Sequence, residues 1–266
     1  MRSTAILLLT GLVAFSACNE KTEKSKWLPD VTNKDHGPLK QKEFSGDFDE
    51  IEVSQAIEAE IIKSDIEKVV ISAPANIIDE VLVERRGGKI HIHYNTGFRV
   101  MNTNNVTAKI YAKDFVKIIA NSAASIKVKD KFTQEKTDVE ASSAASITGN
   151  LEANDLEISV DSSSSFDGKI WAVDLDVDAS SAASISISGK SKNAEMSSSS
   201  GSSINGKDVL VENLKADSSS GASLEVSVTS AVDAEASSGG SVNVYKKGNV
   251  TIVKKEENSG GSVNIQ

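Results

Sequence analysis

Asn121-Ser122-Ala123-Ala124-Ser125-Ile126 returns as Ser142-Ser143-Ala144-Ala145-Ser146-Ile147 and as Ser180-Ser181-Ala182-Ala183-Ser184-Ile185. It comes back in a glycine form as Ser237-Ser238-Gly239-Gly240-Ser241-Val242 and Asn258-Ser259-Gly260-Gly261-Ser262-Val263. With the last serine of each copy set to zero, one column holds Ser125, Ser146, Ser165, Ser184, Ser203, Ser223, Ser241 and Ser262, in steps of 18 to 21 residues. A unit that short cannot enclose a core of its own, so the repeat marks a solenoid in which only the stack is stable.

The columns around the serine describe one coil. One position after it stand Ile126, Ile147, Phe166, Ile185, Ile204, Leu224, Val242 and Val263, apolar in every copy. Seven before it are Ile118, Val139, Ile158, Val177, Met196, Ala216 and Ala234, broken by Lys255 in the last copy. Nine before it are Val116, Thr137, Leu156, Leu175, Ala194, Leu214, Val232 and Val253, and the column between these two is charged throughout. Alternation of period two predicts strands with an apolar side inward and charge outward, a small-residue corner, then a second short strand. Gly149-Asn150, Asp167-Gly168, Asn205-Gly206 and Lys247-Gly248-Asn249 are turn signals of the kind hairpins use. Corners that recur every 18 to 21 residues instead stack like on like in parallel register. The expected fold is all-β, a single-stranded parallel β-helix of right-handed connection, each coil adding about 4.8 Å.

A second unbroken column, three positions before the reference, reads Ser122, Ser143, Ser162, Ser181, Ser200, Ser220, Ser238 and Ser259. The two positions between the serine columns hold only Ala, Ser or Gly. Stacked hydroxyls can bond along the rod or to the corner backbone, and small residues let coils approach. The serine columns are therefore expected to serve packing rather than to bind a ligand.

Ahead of the repeat, Phe48-Asp49-Glu50-Ile51-Glu52-Val53, Ala59-Glu60-Ile61, Val69-Val70-Ile71-Ser72-Ala73, Val81-Leu82-Val83-Glu84 and Ile90-His91-Ile92-His93-Tyr94 also read as strands. Asn76–Glu80 has room for one helical turn, and Asn95–Asn105 reads as a loop. Residues 19–41 are polar, of mixed charge, and carry Pro29 and Pro38 without periodicity, which predicts a flexible tether interrupted by Trp27 and Leu28. Before it, Arg2, an apolar run from Ala5 to Phe15 and small residues Ser16-Ala17 form a secretory signal too short to span a bilayer. Phe15-Ser16-Ala17-Cys18 resembles a bacterial lipobox, in which the cysteine becomes the lipidated N-terminus. The expected division is a signal peptide at 1–17, a lipidated tether at 18–41 and a β-helix domain at 42–266.

The chain has 266 residues, 39% apolar and only 5% aromatic, so its core is aliphatic. Its formal charge of −9 and the lack of a basic cluster exclude nucleic acid as the expected partner. One cysteine leaves no disulfide within the chain.

From about Glu43 to Gln266 the chain resembles the auto-transporter adhesin, head GIN domain family (DUF2807) of bacterial surface proteins. The resemblance lies in Phe48-Asp49-Glu50-Ile51-Glu52-Val53, in the block ending Gly88-Lys89-Ile90-His91-Ile92, and in the Ser-Ala-Ala-Ser or Ser-Gly-Gly-Ser corners. It implies a single-stranded parallel β-helix, often a lipoprotein of the Bacteroidetes type, and brings no established catalytic residues.

Chemistry is sparse. His91 and His93 share a strand face, a pair that could ligate a metal, though an ordinary solvated face is the expected reading. Asp174, Asp176 and Asp178 share a face and abut Glu157 and Glu195 of neighbouring coils. Polysaccharide lyases built on β-helices hold calcium with such acids, but a repeated outward column is by default a solubilising face or a loose cation binder. No Gly-x-Ser-x-Gly, His-Glu-x-x-His or phosphate loop occurs. The expected function is a non-enzymatic lipoprotein of the cell envelope, without cofactor, presenting its surface for adhesion, binding or scaffolding to a glycan or protein. The alternative is a lyase-like enzyme working on polysaccharide at the acidic face. The sequence stops at Val263-Asn264-Ile265-Gln266 inside a coil, which predicts self-association through the C-terminal coil or an unusual cover.

Overall fold

A computed structural model describes residues 37–97 and 105–266. The signal segment, Cys18, Trp27 and Leu28 lie outside the described residues, as does most of the loop read at Asn95–Asn105.

The first strands are β1 (Leu39–Ser45), β2 (Glu50–Val53), β3 (Glu58–Lys63), β4 (Lys68–Pro74), β5 (Val81–Arg86), β6 (Lys89–Tyr94), β7 (Thr107–Ala112) and β8 (Lys117–Ala120). Then come β9 (Ser125–Ala141), β10 (Ser146–Val160), β11 (Ser165–Ala179), β12 (Ser184–Ser198), β13 (Ser203–Ser218) and β14 (Ser223–Ala236). Three shorter strands follow, β15 (Ser241–Lys246), β16 (Ile252–Glu257) and β17 (Ser262–Ile265). From β8 to β17 every pairing is parallel, and the reference serines fall in register. The chain is a parallel β-solenoid, as the spacing predicts.

From β9 to β14 each repeat is one long strand rather than two, whereas the repeat of β15 and β16 is split. The long strand changes direction where two consecutive residues point outward, at Asn154-Asp155 in β10 and Glu212-Asn213 in β13, which reverses the phase of the alternation. The columns one after and seven before the reference serine are buried, apart from exposed Lys255. The column nine before it is buried from Thr137 to Val232, but its two ends, Val116 and Val253, are exposed. Phe115 and Phe132, with ring centroids 4.8 Å apart, and Phe166 are the largest fully buried side chains of a mostly aliphatic core that also holds Phe48 and Tyr94.

The corner has a definite conformation. The serine three before the reference and the residue after it both take positive φ, as in Ser162 (52°) and Ser163 (63°). Two successive left-handed residues closed by a bond such as Ser164 N–H to the Asp161 carbonyl, at 3.1 Å, make a type I′ turn. The second of them donates its N–H to the next corner: Ala123 to Ser143, Ala144 to Ser162, Ser163 to Ser181 and Ala182 to Ser200. The eight serines at the first position are exposed, and none of their hydroxyls makes a hydrogen bond among the described residues. Backbone geometry, not a hydroxyl ladder, accounts for that column. The reference column forms hydroxyl rungs at Ser146–Ser125 (3.1 Å) and Ser223–Ser203 (3.3 Å). Ser198 and Ser202 are buried and bonded to one another and to the carbonyls of Ser223 and Ala179.

A ninth corner carries no serine signature. Gln55 and Ala56 have φ of 61° and 58°, and Ala56 N–H bonds the Ser122 carbonyl, so Ser54-Gln55-Ala56-Ile57 stacks on the first serine corner. Accordingly β2 pairs with β8 and β3 with β9. Between β3 and β8 the chain makes an excursion whose strands β6 and β7 return to the other side of β2 and β3. Over them, β5 pairs antiparallel with β6, and β4 antiparallel with β7 and β1. The N-terminal end is thus closed by antiparallel pairs, departing from a simple coil. A single 3-10 turn, Ile78–Glu80, stands where one helical turn was expected. Strand pairing reaches back to Leu39, three residues ahead of the compositional boundary, because β1 is ordered by its ladder to β4 more than by burial of its side chains.

Candidate functional site

Three features of the outer surface carry polar chemistry. The first is the acidic face. Register places Asp176 between Glu157 and Glu195, Asp174 between Asp155 and Asn193, and Asp178 between Ser159 and Ser197. The acids therefore form rows along the solenoid, one side chain per coil at about 4.8 Å, instead of converging on a point. Burial, then Asp178, Glu195, Glu157 and Asp155, raise the Asp176 pKa above the ordinary aspartate value. Further along, the rows are internally paired. Asn193 Nδ2 donates to Asp174 at 2.8 Å and Asn213 Nδ2 to Asn193 at 3.0 Å, while Lys215 meets Glu195 at 2.5 Å and Lys254 meets Asp233 at 3.3 Å. These side chains rim an open groove of about 570 Å³ to which Leu175, Ala194, Leu214 and Val232 contribute apolar atoms. Among the described residues, no three His, Cys, Asp or Glu side chains group so as to hold a metal ion.

The second feature is the histidine pair. His91 and His93 are half-buried rather than solvated, with rings stacked at 4.2 Å. His91 Nε2 lies 2.8 Å from Ser54 Oγ and 3.6 Å from Glu52, and His93 Nδ1 lies 2.8 Å from the Tyr94 carbonyl. Burial above all lowers the His91 pKa, with Glu52 opposing, so the ring is neutral at pH 7. Glu52 is taken up by Lys89 at 2.5 Å and by Asn121 at 2.8 Å, which makes the cluster a joint between β2, β6 and the first serine corner.

The third feature is a polar groove of about 770 Å³ on a different part of each coil. The column three after the reference serine reads Val128, Gly149, Gly168, Ile187 and Gly206, and it points inward. A Cβ at Gly168 would lie 2.2 Å from the Gly149 carbonyl oxygen, and one at Gly149 would lie 2.6 Å from the Val128 Cβ. The dipeptides Gly149-Asn150 and Asp167-Gly168 therefore make no hairpin; their glycines let adjacent backbones close up inside continuous strands. The groove lies over these glycines, between a row Lys127, Thr148, Asp167, Ser186, Asn205 and a row Lys129, Asn150, Lys169, Ser188. No motif announces it. The glycine column was its signal, visible only in register.

Taken together, the rows, grooves and stacked corners define a β-solenoid built to display side chains at a fixed pitch. The chain belongs to the family described as "Putative auto-transporter adhesin, head GIN domain", which matches residues 47–248. Solved structures share the fold. A "putative adhesin" from Parabacteroides merdae superposes with a TM-score of 0.78 at 16% identity, covering 86% of this chain and 97% of its own. One from Parabacteroides distasonis gives 0.75 at 20%, covering 84% and 98%. A "putative lipid binding protein" from the same species gives 0.72 at 21%, covering 86% and 97%. No curated protein matches the sequence.

Proposed function

We propose that this chain is a non-enzymatic lipoprotein of the cell envelope that holds a β-solenoid away from the membrane and presents its surface for adhesion. The observation that carries the reading is the continuity of the outward rows, which run from coil to coil without a loop rising among the described residues to build a catalytic cleft. The names of the family and of its structural neighbours support it. Cys18, at the end of the signal-like segment, is the attachment point for the lipid. A single acyl chain anchors weakly, at roughly 0.8 kcal/mol per buried methylene, so several are needed for stable attachment. The lyase alternative needs convergent calcium ligands beside a free base. Here the acids run in rows, and Lys215 is engaged by Glu195.

A second copy of the chain is a further candidate partner, through β16 and β17, whose outer edges have no strand against them among the described residues. The experiment for the main reading is metabolic labelling with a palmitate analogue, joined to protease shaving of intact cells. Labelling lost on Cys18→Ser, and cleavage of the wild-type domain at the cell surface, are the expected results. Unlabelled protein, or a domain protected in intact cells and freed only by lysis, overturns anchoring or surface display respectively.

A further inference from the structure

The polar groove over Gly149 and Gly168 differs from the acidic face in one respect: apart from Lys129, paired with Glu60, and Asn205, which accepts from the Lys207 N–H, its polar side chains are uncommitted. Thr148, Asn150, Asp167, Lys169, Ser186 and Ser188 line it, and none is hydrogen-bonded or ion-paired through its side chain among the described residues. On the acidic face the corresponding polar groups largely satisfy one another, through the Asp174–Asn193–Asn213 chain and the Glu195–Lys215 and Asp233–Lys254 pairs. Register sets the free groups on a grid, Thr148 beside Asp167 beside Ser186, and Asn150 beside Lys169 beside Ser188. The row from Lys127 to Asn205 spans four coil steps, about 19 Å. Lys129 is neutralised by Glu60 outside the groove, and Lys127 and Lys169 stand against Asp167 and Asp208, so the groove is close to neutral on a chain of formal charge −9.

An aromatic surface adjoins it. Trp171 follows Lys169 by two residues on the same outward side of β11 and is 44% exposed, although an indole is normally drawn into the core. Its cross-strand neighbours are Glu152 and Lys190, which leave it bordered by charge. A neutral strip of hydroxyl, amide, carboxylate and ammonium groups offers closely spaced donors and acceptors. That suits the neighbouring hydroxyls of a sugar, and an exposed indole suits the C–H face of a pyranose ring. The polar lining disfavours an apolar peptide, and the near-zero local charge gives a polyanion such as nucleic acid little purchase.

We propose that this groove binds a carbohydrate chain laid along the solenoid, stacked on Trp171 and hydrogen-bonded by Asn150, Asp167 and Lys169. The proposal rests on the surface-presenting reading above and names the ligand class. Trp27 and Trp171 are the only tryptophans, so a Trp27→Phe background makes the indole fluorescence report on Trp171 alone. The full chain in that background is titrated with mannotetraose, chitotetraose and tetragalacturonic acid. A saturable change with at least one of them is expected, and the one that binds separates a neutral from an acidic glycan. Calorimetry with that sugar should show about tenfold weaker binding for Trp171→Ala and for Lys169→Ala, with no change for Asp233→Asn on the acidic face. If Trp171→Ala lowers the melting temperature, Lys169→Ala decides, because that side chain is exposed. No saturation by any of the three up to about 10 mM, or undiminished binding by Lys169→Ala, overturns the proposal. If that happens while labelling and shaving hold, surface display stands and only the glycan groove falls.

Discussion

The corners allow a test in which backbone conformation is nearly the only variable. The second left-handed residue is Ala123, Ala144, Ser163 and Ala182 in the first four serine corners, and Gly201, Gly221, Gly239 and Gly260 in the last four. A left-handed conformation costs a residue with a Cβ about 1–2 kcal/mol. Glycine avoids that cost but gives up about 0.4–1 kcal/mol through the greater freedom of its unfolded chain. The side chains of Ala123, Ala144, Ser163 and Ala182 are exposed, so their removal forfeits little packing. The expected net gain for glycine is therefore about 0.5–1 kcal/mol per corner. The four-site variant Ala123→Gly, Ala144→Gly, Ser163→Gly and Ala182→Gly should gain about 2–4 kcal/mol. The reciprocal change is equally clean, since a Cβ built on Gly201, Gly221, Gly239 or Gly260 meets nothing within 4 Å. Urea unfolding followed by far-ultraviolet circular dichroism should place the four-site midpoint above wild type and that of Gly201→Ala below it, with similar slopes. The reverse order of midpoints refutes the assignment of these residues to left-handed turns.

Four further outcomes are expected. Gly168→Ala sets a Cβ against the Gly149 carbonyl oxygen, where neither backbone can yield, and should lower stability by about 2 kcal/mol or more, measured as a drop in melting temperature. The Asp176 pKa is raised in the folded state, so its ionised form costs stability above the folded value, and the cost disappears as pH falls below the unfolded value. Asp176→Asn should therefore raise the melting temperature at pH 7 and change it little near pH 3, as read by calorimetric scans at the two pH values. Calcium titrated into wild type and into the triple variant Asp174→Asn, Asp176→Asn, Asp178→Asn should give negligible heat with both; a strong heat from wild type alone would restore the calcium-lyase reading. Light scattering should show a mass that grows with concentration and is reduced by Val253→Lys on β16; a strict monomer counts against edge pairing.

Much of the solenoid could be read in the sequence because each coil obeys the same constraint at the same spacing. The inward columns from Ile118 to Ala234 and from Ile126 to Val263 are where the alternation put them. The ends were not legible. Val116 and Val253 read as core but stand exposed where the column runs out. The Gln55-Ala56 corner has Gln55 and Glu58 where the two serine columns would mark it, and the excursion from β4 to β7 separates it in sequence from the corner it stacks on. Serine carries no sign of left-handed backbone, so the exposed hydroxyl column looked like a ladder; the glycines at the same turns in later coils were the clue. The neighbours of Asp174, Asp176 and Asp178 in the adjacent coils follow from the repeat spacing alone. The polar groove escaped notice because Gly149-Asn150 and Asp167-Gly168 are common turn pairs, and only the stacked neighbour shows why a side chain is forbidden there.

The excursion between β3 and β8 also bears on how the chain comes to be folded. Successive repeats pair residues 18 to 21 apart in sequence, so once one coil exists each further coil is added by a short, cheap loop closure. The first coil has no such neighbour: β2 pairs with β8 across residues such as Ile51 and Ile118, and with β6 across Ile51 and Ile90. Those long closures come before any reward from the stack, which makes the capped end the slow and decisive step. The expected order is therefore that the antiparallel cap seeds assembly and coils add from β9 toward β17. Destabilising the cap should slow refolding of the whole domain, whereas a lesion in β14 or beyond should chiefly hasten its unfolding.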